Sequence, residues 1–369
     1  MKYYLIAGEA SGDLHGSKLI EALKKKDNNA KIRFWGGDLM EQAGGILVRH
    51  IKILSFMGFW EVVTHLRTIL KNIKFCKKDI SLFQPDVIIY IDYPGFNLRI
   101  AKWARHQGFK NHFYISPQVW AWKESRVRQM KKDLDALYVI LPFEKDFFEK
   151  KHQFKVEFVG HPLMDTLTKI KKSTSFIREN QLSEKNNLIA LLPGSRKQEI
   201  KKILPIFIKV IASFPQFEFV LAGAPGIDPL WYQKFFSGKK IKFIQNNTHV
   251  LLLHAKAALV SSGTATLETG LLNVPQVVCY RSSFLTYQIA RWLVKLKYIS
   301  LVNLILGREV VKELIQESFN VREVTKHLKY ALSEKGQKKL KNDYQELRSA
   351  LGEEGASQKT AQFIINAIK

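Results

Sequence analysis

The stretch of sequence that decides the fold is YYLIAGEASGDLHGSKLIEALKKK, residues 3–26. It opens with a short aromatic and aliphatic run, which predicts a strand. A glycine-containing turn follows, and apolar residues then recur at helical spacing from Leu14 to Lys26. A second stretch, LIALLPGSRKQEIKKIL at 188–204, has the same order of strand, turn and helix. Both stretches are typical of α/β proteins with a parallel sheet.

The same alternation extends outward from both stretches. In the first half the predicted strands are Tyr3–Ala7, Ile32–Trp35, Val87–Ile91, His112–Ile115, Ala136–Ile140 and Val156–Val159. The helices predicted between them include Leu14–Lys26, Leu98–Gln107 and Phe143–Lys151. In the second half the predicted strands are Leu188–Leu192, Glu218–Ala222, Ile241–Ile244, Ala257–Val260 and Gln276–Tyr280. Strands and helices alternating at this pace predict parallel sheets with helices on both faces.

Length and local composition divide the chain. Its 369 residues are about two and a half times a typical domain, which favours two domains. The segment 169–187 is polar and serine-containing and is the predicted linker, although a helix between loops would have the same composition. We therefore expect Rossmann-like domains at 1–170 and 171–345, with ligands in the cleft between them. A helical tail at 346–369 is expected to pack back on the first domain or to be exchanged in a homodimer.

Composition narrows the class of protein. The chain has 58 Lys and Arg against 33 Asp and Glu, a formal net charge of +25. That charge suits nucleic acid, an anionic membrane surface or phosphorylated substrates. The basic residues occur in scattered pairs rather than in one stripe, which argues against nucleic-acid binding. Two cysteines cannot form a disulfide framework, and no run reaches the ~18 apolar residues of a membrane span. We expect a cytoplasmic protein.

Two glycine-containing turns are candidate phosphate or sugar sites. The turn Gly8–Asp13 leads into a helix whose backbone amides are available to a phosphate or sugar, unless Ser11 or Asp13 merely caps that helix. The turn Pro193–Arg196 places an arginine where a guanidinium can bind a diphosphate, unless Arg196 is simply a surface residue. The first turn has no GxGxxG pattern and no Walker lysine follows it, which disfavours a conventional nucleotide-binding loop there.

A third candidate is the helix start that follows the strand Ala257–Val260. Small and hydroxyl residues at 261–266 expose amides and hydroxyls that suit phosphate oxygens. Glu268 lies one turn further, where a carboxylate can accept hydrogen bonds from ribose hydroxyls or simply favour the positive helix end. Together with Pro193–Arg196, this segment predicts a site for a pyrophosphate and a sugar.

Asp92 is the candidate general base. It follows the strand Val87–Ile91, where a carboxylate at the carboxyl edge of a sheet can be desolvated enough to accept a proton. The alternative is that Asp92 caps the turn and Asn97 begins the next helix. His161 follows another strand, but a lone histidine is more often structural. No HxxxH or HExxH pattern occurs, so we expect no metal site.

A basic amphipathic stretch runs from Gly58 to Lys78. Its apolar residues recur at helical spacing, while histidine, arginine and lysine supply positive charge. Such a helix suits the interface of an anionic bilayer, but an ordinary helix packed on a core has the same pattern. The residues assigned to a membrane or acyl-chain contact are Phe59, Trp60, Val62, Val63, Leu66, Ile69 and Leu70.

These segments, in this order, resemble the lipid-A-disaccharide synthases, the bacterial glycosyltransferases of lipid A assembly. The matching motifs are AGEASGD at 7–13, Met57-Gly58, DYPGFN at 92–97, SPQVWAW at 116–122, LPFE at 141–144, GHP at 160–162, LPGSR at 192–196, SGTATLE at 262–268, and Asn303 with the stretch 308–316. They span nearly the whole chain. Two departures are Gly95, where many members have a second aspartate that would be a rival base, and Asp38, where the family often has proline.

The resemblance implies a glycosyltransferase B-type fold and one inverting reaction. UDP-2,3-diacylglucosamine would transfer its sugar to the 6-hydroxyl of 2,3-diacylglucosamine 1-phosphate, giving the β-1,6 disaccharide 1-phosphate and UDP. No cofactor and no metal would be needed, because the UDP-activated sugar is itself a substrate. Acyl chains on both substrates imply peripheral association with an anionic membrane, at the inner face of the inner membrane. The alternatives are other UDP-sugar enzymes of this fold, a UDP-N-acetylglucosamine 2-epimerase or a transferase with a soluble acceptor.

The resemblance also assigns residues to this reaction. Asp92 would be the base, and Arg196 with the helix start 262–266 would stabilise the leaving group. Glu9 and Ser11 would face the transferred sugar, Glu268 the ribose and Asn303 the UDP. The complete set expected to bind the UDP-sugar is Glu9, Ser11, Gly194, Ser195, Arg196, Ser262, Gly263, Thr264, Ala265, Thr266, Glu268, Asn303 and Gln316.

Overall fold

The computed structural model describes residues 1–53, 66–183, 185, 187–236, 241–282 and 296–368. Its contacts divide the chain into two compact units. The first comprises Met1–Met164 and Glu353–Lys369, and the second comprises Asp165–Gly352. The segment predicted as a linker contains a short helix, Thr174–Glu179, and its Phe176 packs into the core of the second unit.

The described part of the first unit contains a seven-stranded parallel sheet. Its strands are β1 (Lys2–Ala7), β2 (Lys31–Gly36), β3 (Ile46–His50), β4 (Val87–Ile91), β5 (Asn111–Tyr114), β6 (Ala136–Val139) and β7 (Glu157–Phe158), in the order β3-β2-β1-β4-β5-β6-β7. Its helices are α1 (Ala10–Lys26), α2 (Asp38–Ala43), α3 (Leu66–Phe83), α4 (Pro94–His106), α5 (Arg126–Asp133) and α6 (Pro142–Asp146), which continues as a π-helical turn at Phe147–Lys151.

The described part of the second unit contains a six-stranded parallel sheet. Its strands are β8 (Leu188–Leu192), β9 (Glu218–Gly223), β10 (Lys242–Gln245), β11 (Ala255–Ser261), β12 (Gln276–Tyr280) and β13 (Lys312–Ile315), in the order β10-β9-β8-β11-β12-β13. The helices are α7 (Leu163–Leu167), which spans the junction of the units, α8 (Thr174–Glu179), α9 (Lys197–Val210), α10 (Pro229–Phe236), α11 (Thr248–His254), α12 (Thr264–Leu271), α13 (Leu301–Leu306), α14 (Val321–Leu332) and α15 (Glu334–Leu351). A last helix, α16 (Ala356–Ile368), belongs to the first unit.

The apolar strands are explained by burial on both faces of each sheet. In β1, Tyr4 and Ile6 pack into one core cluster while Tyr3 and Leu5 pack into another. A strand covered on both faces has no solvated side, so its residues are apolar without alternation. Helix α16 contributes to the second of these clusters, and Lys26 at the end of α1 donates to Gln362 at 2.6 Å. The helical tail therefore packs against the first unit.

The prediction of two parallel-sheet domains with a helical tail is confirmed. Two strands were missed. Strand β3 lies at a sheet edge and is partly exposed, and β13, with the sequence KELI, is also an edge strand and carries two charged residues. Edge strands lack the continuous apolar run that identifies a central strand, so their sequence signal is weak.

Both sheets place a topological switch point at the same position in the strand order. In the first unit β1 is flanked by β2 and β4, and in the second unit β8 is flanked by β9 and β11. Ligands of open α/β sheets bind at the carboxyl ends of the strands where the order reverses. The segments after β1 and β4, and those after β8 and β11, are therefore where functional side chains should lie.

The amphipathic stretch is described only from Leu66 onward, as the helix α3. Ile69 and Ile73 pack with the core of the first unit, whereas Leu70 is 54% exposed. Phe59, Trp60, Val62, Val63 and the Leu66 side chain lie outside the described residues. Among the helices that are described, none is long and apolar enough to cross a membrane.

Candidate active site

The switch point of the first unit is built from the segments after β1 and β4. Asp92 and Tyr93 both adopt left-handed backbone conformations, with φ of 46° and 50°. The Asn97 amide fixes this turn, since its Nδ2 donates to the carbonyl oxygens of Asp92 at 2.7 Å and of Ile6 at 3.3 Å. Position 8 beside this turn must be a glycine, because a Cβ on residue 8 would lie 2.3 Å from the Tyr93 ring. Consecutive left-handed residues are costly, and such strain is concentrated at functional sites.

The Asp92 carboxyl has the properties of a general base. Asp92 lines a cavity of about 220 Å³ with Ser116, Trp122 and Glu144. Burial, assisted by the negative charge of Glu9, raises the pKa of Asp92 to about 6. Tyr93 is the N-cap of α4, and a hydrogen bond from the Tyr93 amide to the Asp92 carboxylate partly offsets this rise in pKa. A carboxylate with a raised pKa is a stronger base near neutral pH.

Glu144 is a second carboxyl in this cavity, and sequence reasoning gave it no role although it ends the LPFE motif. It is buried and accepts hydrogen bonds from the amides of Leu141 (3.0 Å) and Ile140 (3.2 Å) and from Trp120 Nε1 (3.1 Å). Burial raises the pKa of Glu144 to about 7, and the charge of Asp92 acts in the same direction. Glu144 thus joins the segment at 116–122 to the turn after β6.

The residues of the AGEASGD motif have separate roles. Glu9 is the N-cap position of α1, and its charge reaches Asp92. Ser11 is exposed on the first turn of α1.

Asp13 is buried and structural, because its carboxylate accepts hydrogen bonds from the amides of Gly37, Leu39 and Met40 at the start of α2. It therefore caps α2 rather than α1.

His161 is a buried neutral histidine. Its Nδ1 accepts a hydrogen bond from the Leu163 amide at 3.2 Å. Burial lowers the pKa of His161 to about 3, and His15 adds to this effect. This geometry matches the structural role that a lone histidine usually has.

The switch point of the second unit contains a larger cavity, of about 420 Å³. The loops after β8, β9 and β11 and the start of α11 form it. The lining includes seven of the residues predicted to bind the UDP-sugar: Gly194, Ser195, Ser262, Gly263, Thr264, Ala265 and Glu268. The sheet therefore brings together the two segments that the sequence analysis combined into one site.

The wall contributed by β11 is suited to an anion. Ser261 lines the cavity, is only 4% exposed, and its Oγ has no hydrogen-bond partner among the described residues. Gly263 has φ +153°, a conformation that L-residues rarely adopt, and it leads directly into α12. Gly194 has φ +110°, and a Cβ there would lie 3.3 Å from Ser261 Oγ. An unpartnered buried hydroxyl and free amides at a helix start can bind phosphate oxygens.

The two helix starts at this cavity differ in charge. The first turn of α9 contains Glu199, which lines the cavity, whereas the first turn of α12 contains no acidic residue. Arg196 does not line the cavity; its side chain is 73% exposed, and its Nη1 lies 3.8 Å from Glu199 Oε1. A carboxylate competes with an anion for a helix N-terminus, so the start of α12 is the better phosphate site.

Glu268 is oriented by a histidine that sequence reasoning missed. His249 Nε2 lies 2.9 Å from Glu268 Oε2, and both residues line the cavity. His249 belongs to α11, which follows β10 on the far side of β8. The only feature of the sequence that points to a functional role for His249 is its position just after a strand, and many structural residues occupy such positions.

Besides Arg196, three predicted residues of the second unit are absent from the cavity lining. Thr266 is fully buried, and its hydroxyl donates to the Gly263 carbonyl at 2.8 Å. The Asn303 amide donates to Val311 O and Glu313 Oε1, each at 2.8 Å, and its oxygen accepts from two backbone amides, so its hydrogen-bonding capacity is filled within the protein. Gln316 accepts from the Ser282 amide at 3.0 Å.

Across the part of the chain that the structure describes, no group of three or more His, Cys, Asp or Glu side chains is arranged to hold a metal ion. Cys76 and Cys279 are both buried free thiols.

Two parallel-sheet units with these sites define a glycosyltransferase B-type fold, and solved structures support this class. A glycosyltransferase from Rickettsia africae ESF-5 matches with a TM-score of 0.60, 12% identity, and coverage of 100% of this chain and 98% of that chain. A UDP-GlcNAc 2-epimerase from Neisseria meningitidis matches with a TM-score of 0.62, 14% identity, and coverage of 95% and 99%. At such identities the likeness concerns the fold alone.

Sequence comparison identifies the family. The lipid-A-disaccharide synthetase family model matches residues 3–367. The lipid-A-disaccharide synthase of Syntrophus aciditrophicus is 36% identical, covering 99% of this chain and 97% of the relative. That of Coxiella burnetii (strain RSA 331 / Henzerling II) is 34% identical, covering 99% and 98%. The chain belongs to the lipid-A-disaccharide synthase family and is a glycosyltransferase of lipid A disaccharide synthesis, so the resemblance is confirmed.

Proposed function

We propose that the enzyme transfers 2,3-diacylglucosamine from UDP to the 6-hydroxyl of 2,3-diacylglucosamine 1-phosphate with inversion. The acceptor oxygen forms a bond to the anomeric carbon of the donor while the bond from that carbon to the UDP oxygen breaks. The hydroxyl proton goes to a protein base, and the electron pair of the broken bond leaves with UDP. The observation that carries the proposal is the Asp92 carboxyl, partly buried just after β4 with its pKa raised to about 6 in a chain of this family.

Asp92 is assigned as the base. A base must be ionised at the working pH and yet hold a proton well enough to remove it from a hydroxyl. The pKa of about 6 meets both requirements near neutral pH. Gly95 stands where many family members have a second aspartate, so Asp92 has no rival carboxylate within that motif.

The cavity of the second unit is assigned to the UDP part of the donor. The amides at Gly263–Ala265 and the Ser261 hydroxyl would bind the pyrophosphate, and the positive end of α12 would stabilise the charge that develops on the leaving group. Glu268, oriented by His249, would accept hydrogen bonds from the ribose. Arg196 would contribute by long-range attraction, because its side chain is exposed beside this cavity rather than within its lining.

We further propose a peripheral contact with an anionic membrane. Its support is the exposed Leu70 on α3 and the apolar and basic pattern of 58–78. Ile69 is excluded from this contact because it packs on the core. Replacing Val62, Val63 and Leu70 by serine should reduce sedimentation with anionic vesicles, and unchanged sedimentation would remove this part of the proposal.

The transfer is tested with purified protein, UDP-2,3-diacylglucosamine and radiolabelled 2,3-diacylglucosamine 1-phosphate, separated by thin-layer chromatography with and without EDTA. We expect a labelled disaccharide phosphate, one UDP per product, a β linkage by NMR, and equal rates in both arms. Protein that binds UDP but forms no disaccharide would contradict the proposal. UDP-N-acetylglucosamine supplied to the same protein would then test for epimerisation.

A further inference from the structure

Two cations are held on an indole ring that lines the cavity containing Asp92. Trp122 lines this cavity and is 45% exposed. Lys123 Nζ lies 4.4 Å from the centroid of the Trp122 ring, and the guanidinium carbon of Arg126 lies 5.7 Å from it. Cation–π attraction at these distances holds both charges close to the cavity. We call Trp122, Lys123 and Arg126 the cation rim.

Neither cation of the rim has a carboxylate partner within 4.0 Å among the described residues. The carboxylate nearest in sequence, Glu124, is occupied by Lys151 at 2.7 Å and His152 at 2.9 Å. These contacts lower the pKa of Glu124, as expected for a carboxylate that is already paired. Cations without a counter-ion beside a concave site attract anionic ligands.

Resting on the proposed function, we propose that the cation rim binds the phosphate of the acceptor while Asp92 receives the proton of its hydroxyl. A sugar 1-phosphate with a reacting 6-hydroxyl needs positive charge near its phosphate and a basic carboxylate near its hydroxyl. The Asp92 cavity offers both, with the carboxyl of the base in its lining and two unpaired cations beside its exposed indole. The rim acts on positioning and specificity and does not touch the reacting atoms.

The position of the rim favours a substrate phosphate over a lipid headgroup. A tryptophan with neighbouring basic residues is also typical of proteins that contact an anionic membrane surface. However, Trp122 lines the same 220 Å³ cavity as Asp92 and Ser116, so an anion at the rim borders the cavity that contains the proposed base. The experiment must still distinguish binding of the acceptor phosphate at the rim from binding of a bilayer there.

The test compares the acceptor with its dephosphorylated form, 2,3-diacylglucosamine, as substrates for the wild type and for the Lys123→Ala/Arg126→Ala variant. Charge-assisted contacts of this kind are worth roughly 10- to 100-fold in affinity. We expect the kcat/KM of the variant to fall about 10- to 100-fold with the phosphorylated acceptor. With the dephosphorylated acceptor, kcat/KM should change little. The KM for the UDP-sugar should not change.

The matched control is Arg128→Ala/Lys132→Ala. It removes the same total charge, at two exposed positions of α5 that form no cation–π contact with the Trp122 ring. Arg128 is two residues from Arg126 and so does not share its helical face. This control should keep the preference for the phosphorylated acceptor, and thermal unfolding should show both variants folded.

Four results would overturn the proposal. Equal losses of kcat/KM with both acceptors would show that the rim does not recognise the phosphate. So would a rim variant that keeps the wild-type kcat/KM and preference for the phosphorylated acceptor. Loss of sedimentation with anionic vesicles, with the acceptor preference intact, would identify the rim as a membrane contact instead. If the wild type forms no disaccharide from either acceptor, the proposed function itself fails, and the rim proposal with it.

Discussion

The two units share a strand order but differ in the chemistry of their switch points. In the first unit the segments after β1 and β4 carry Glu9 and Asp92, and burial raises the pKa of Asp92. In the second unit the equivalent segments, after β8 and β11, carry Gly194 and Gly263 with positive φ, and β11 itself ends in the unpartnered Ser261 hydroxyl. One position in the fold thus holds a carboxyl that can accept a proton and the other a site that can accept an anion.

This difference shows that the fold fixes where a site lies, while residue type fixes what it does. At both switch points two neighbouring parallel strands end together, as Ala7 pairs with Ile91 in the first unit and Leu192 with Val260 in the second. A carboxylate after such a strand is desolvated and becomes basic. Glycines and a hydroxyl at the same place leave amides and a hydroxyl free for a phosphate.

The largest expected effect is that of Asp92→Asn. The amide keeps the shape of the side chain but cannot accept the proton, so kcat should fall by about 10²- to 10⁴-fold. Binding of UDP, measured by calorimetry, should be unchanged because the proposed UDP site lies in the other unit. Near-normal turnover would refute the assignment of Asp92 as base.

The same variant makes a second, independent prediction about stability. The pKa of Asp92 is raised from 3.8 to about 6, so its contribution reduces stability as pH rises through that window and stays unfavourable above it. Asp92→Asn removes this cost and should raise the free energy of unfolding at pH 7 by on the order of 1–3 kcal/mol. Denaturant unfolding at pH 4, where the carboxyl is largely protonated in the folded protein, should show a smaller difference. A variant less stable than the wild type at pH 7 would argue against a strained, desolvated carboxyl.

Gly263→Ala tests the anion site of the second unit. At φ +153° an alanine is strained by about 1–3 kcal/mol, and relaxation of the backbone would move the amides at the start of α12. The Kd for UDP should rise by roughly 5- to 100-fold. Gly226→Ala is the matched control, since a Cβ meets no atom within 4 Å at either position and Gly226 lacks the positive φ. Equal affinity in both variants would show that the conformation at Gly263 does not matter for UDP.

The difference between the two switch points was only partly predictable from sequence. Central strands are continuous apolar runs, so β1, β4, β8 and β11 and the polar residues that follow them could be located. Glu144 and His249 were missed because each joins its site through strand order, from a segment distant in sequence from Asp92 or Glu268. No local pattern reports such a contact.

Other residues belong to a motif but do not line the cavity of the second unit. Asn303 has its amide fully bonded inside the protein, and Arg196 is largely exposed. A motif shows that a residue type recurs at a position, not where its side chain points. Side-chain direction depends on neighbours such as Glu313 and Glu199, which spacing alone does not reveal.

Arg196→Ala is therefore expected to have a smaller effect than Gly263→Ala. An exposed arginine that does not line the cavity acts on an anion through solvent, and such interactions are worth about 1 kcal/mol or less. The Kd for UDP should rise by less than about tenfold, and the rise should shrink in high salt because exposed charges are screened. A larger, salt-independent loss would mean that Arg196 contacts the pyrophosphate directly when the donor binds.

The smallest expected effect, Glu9→Gln, examines how the carboxyl pair of the first unit sets the strength of the base. The charge of Glu9 helps to raise the pKa of Asp92, because a second negative charge disfavours ionisation of the first. In the wild type, kcat/KM should fall about tenfold per pH unit below pH 6, as the base becomes protonated. Removing the charge of Glu9 should move this acid limb to lower pH by less than about one unit, since burial is the larger cause of the shift. Ser11→Ala, which alters the same turn without changing its charge, should leave the limb in place. If both variants left the limb where it is, Glu9 would not be setting the pKa of Asp92, and burial at the end of β4 would account for the basicity alone.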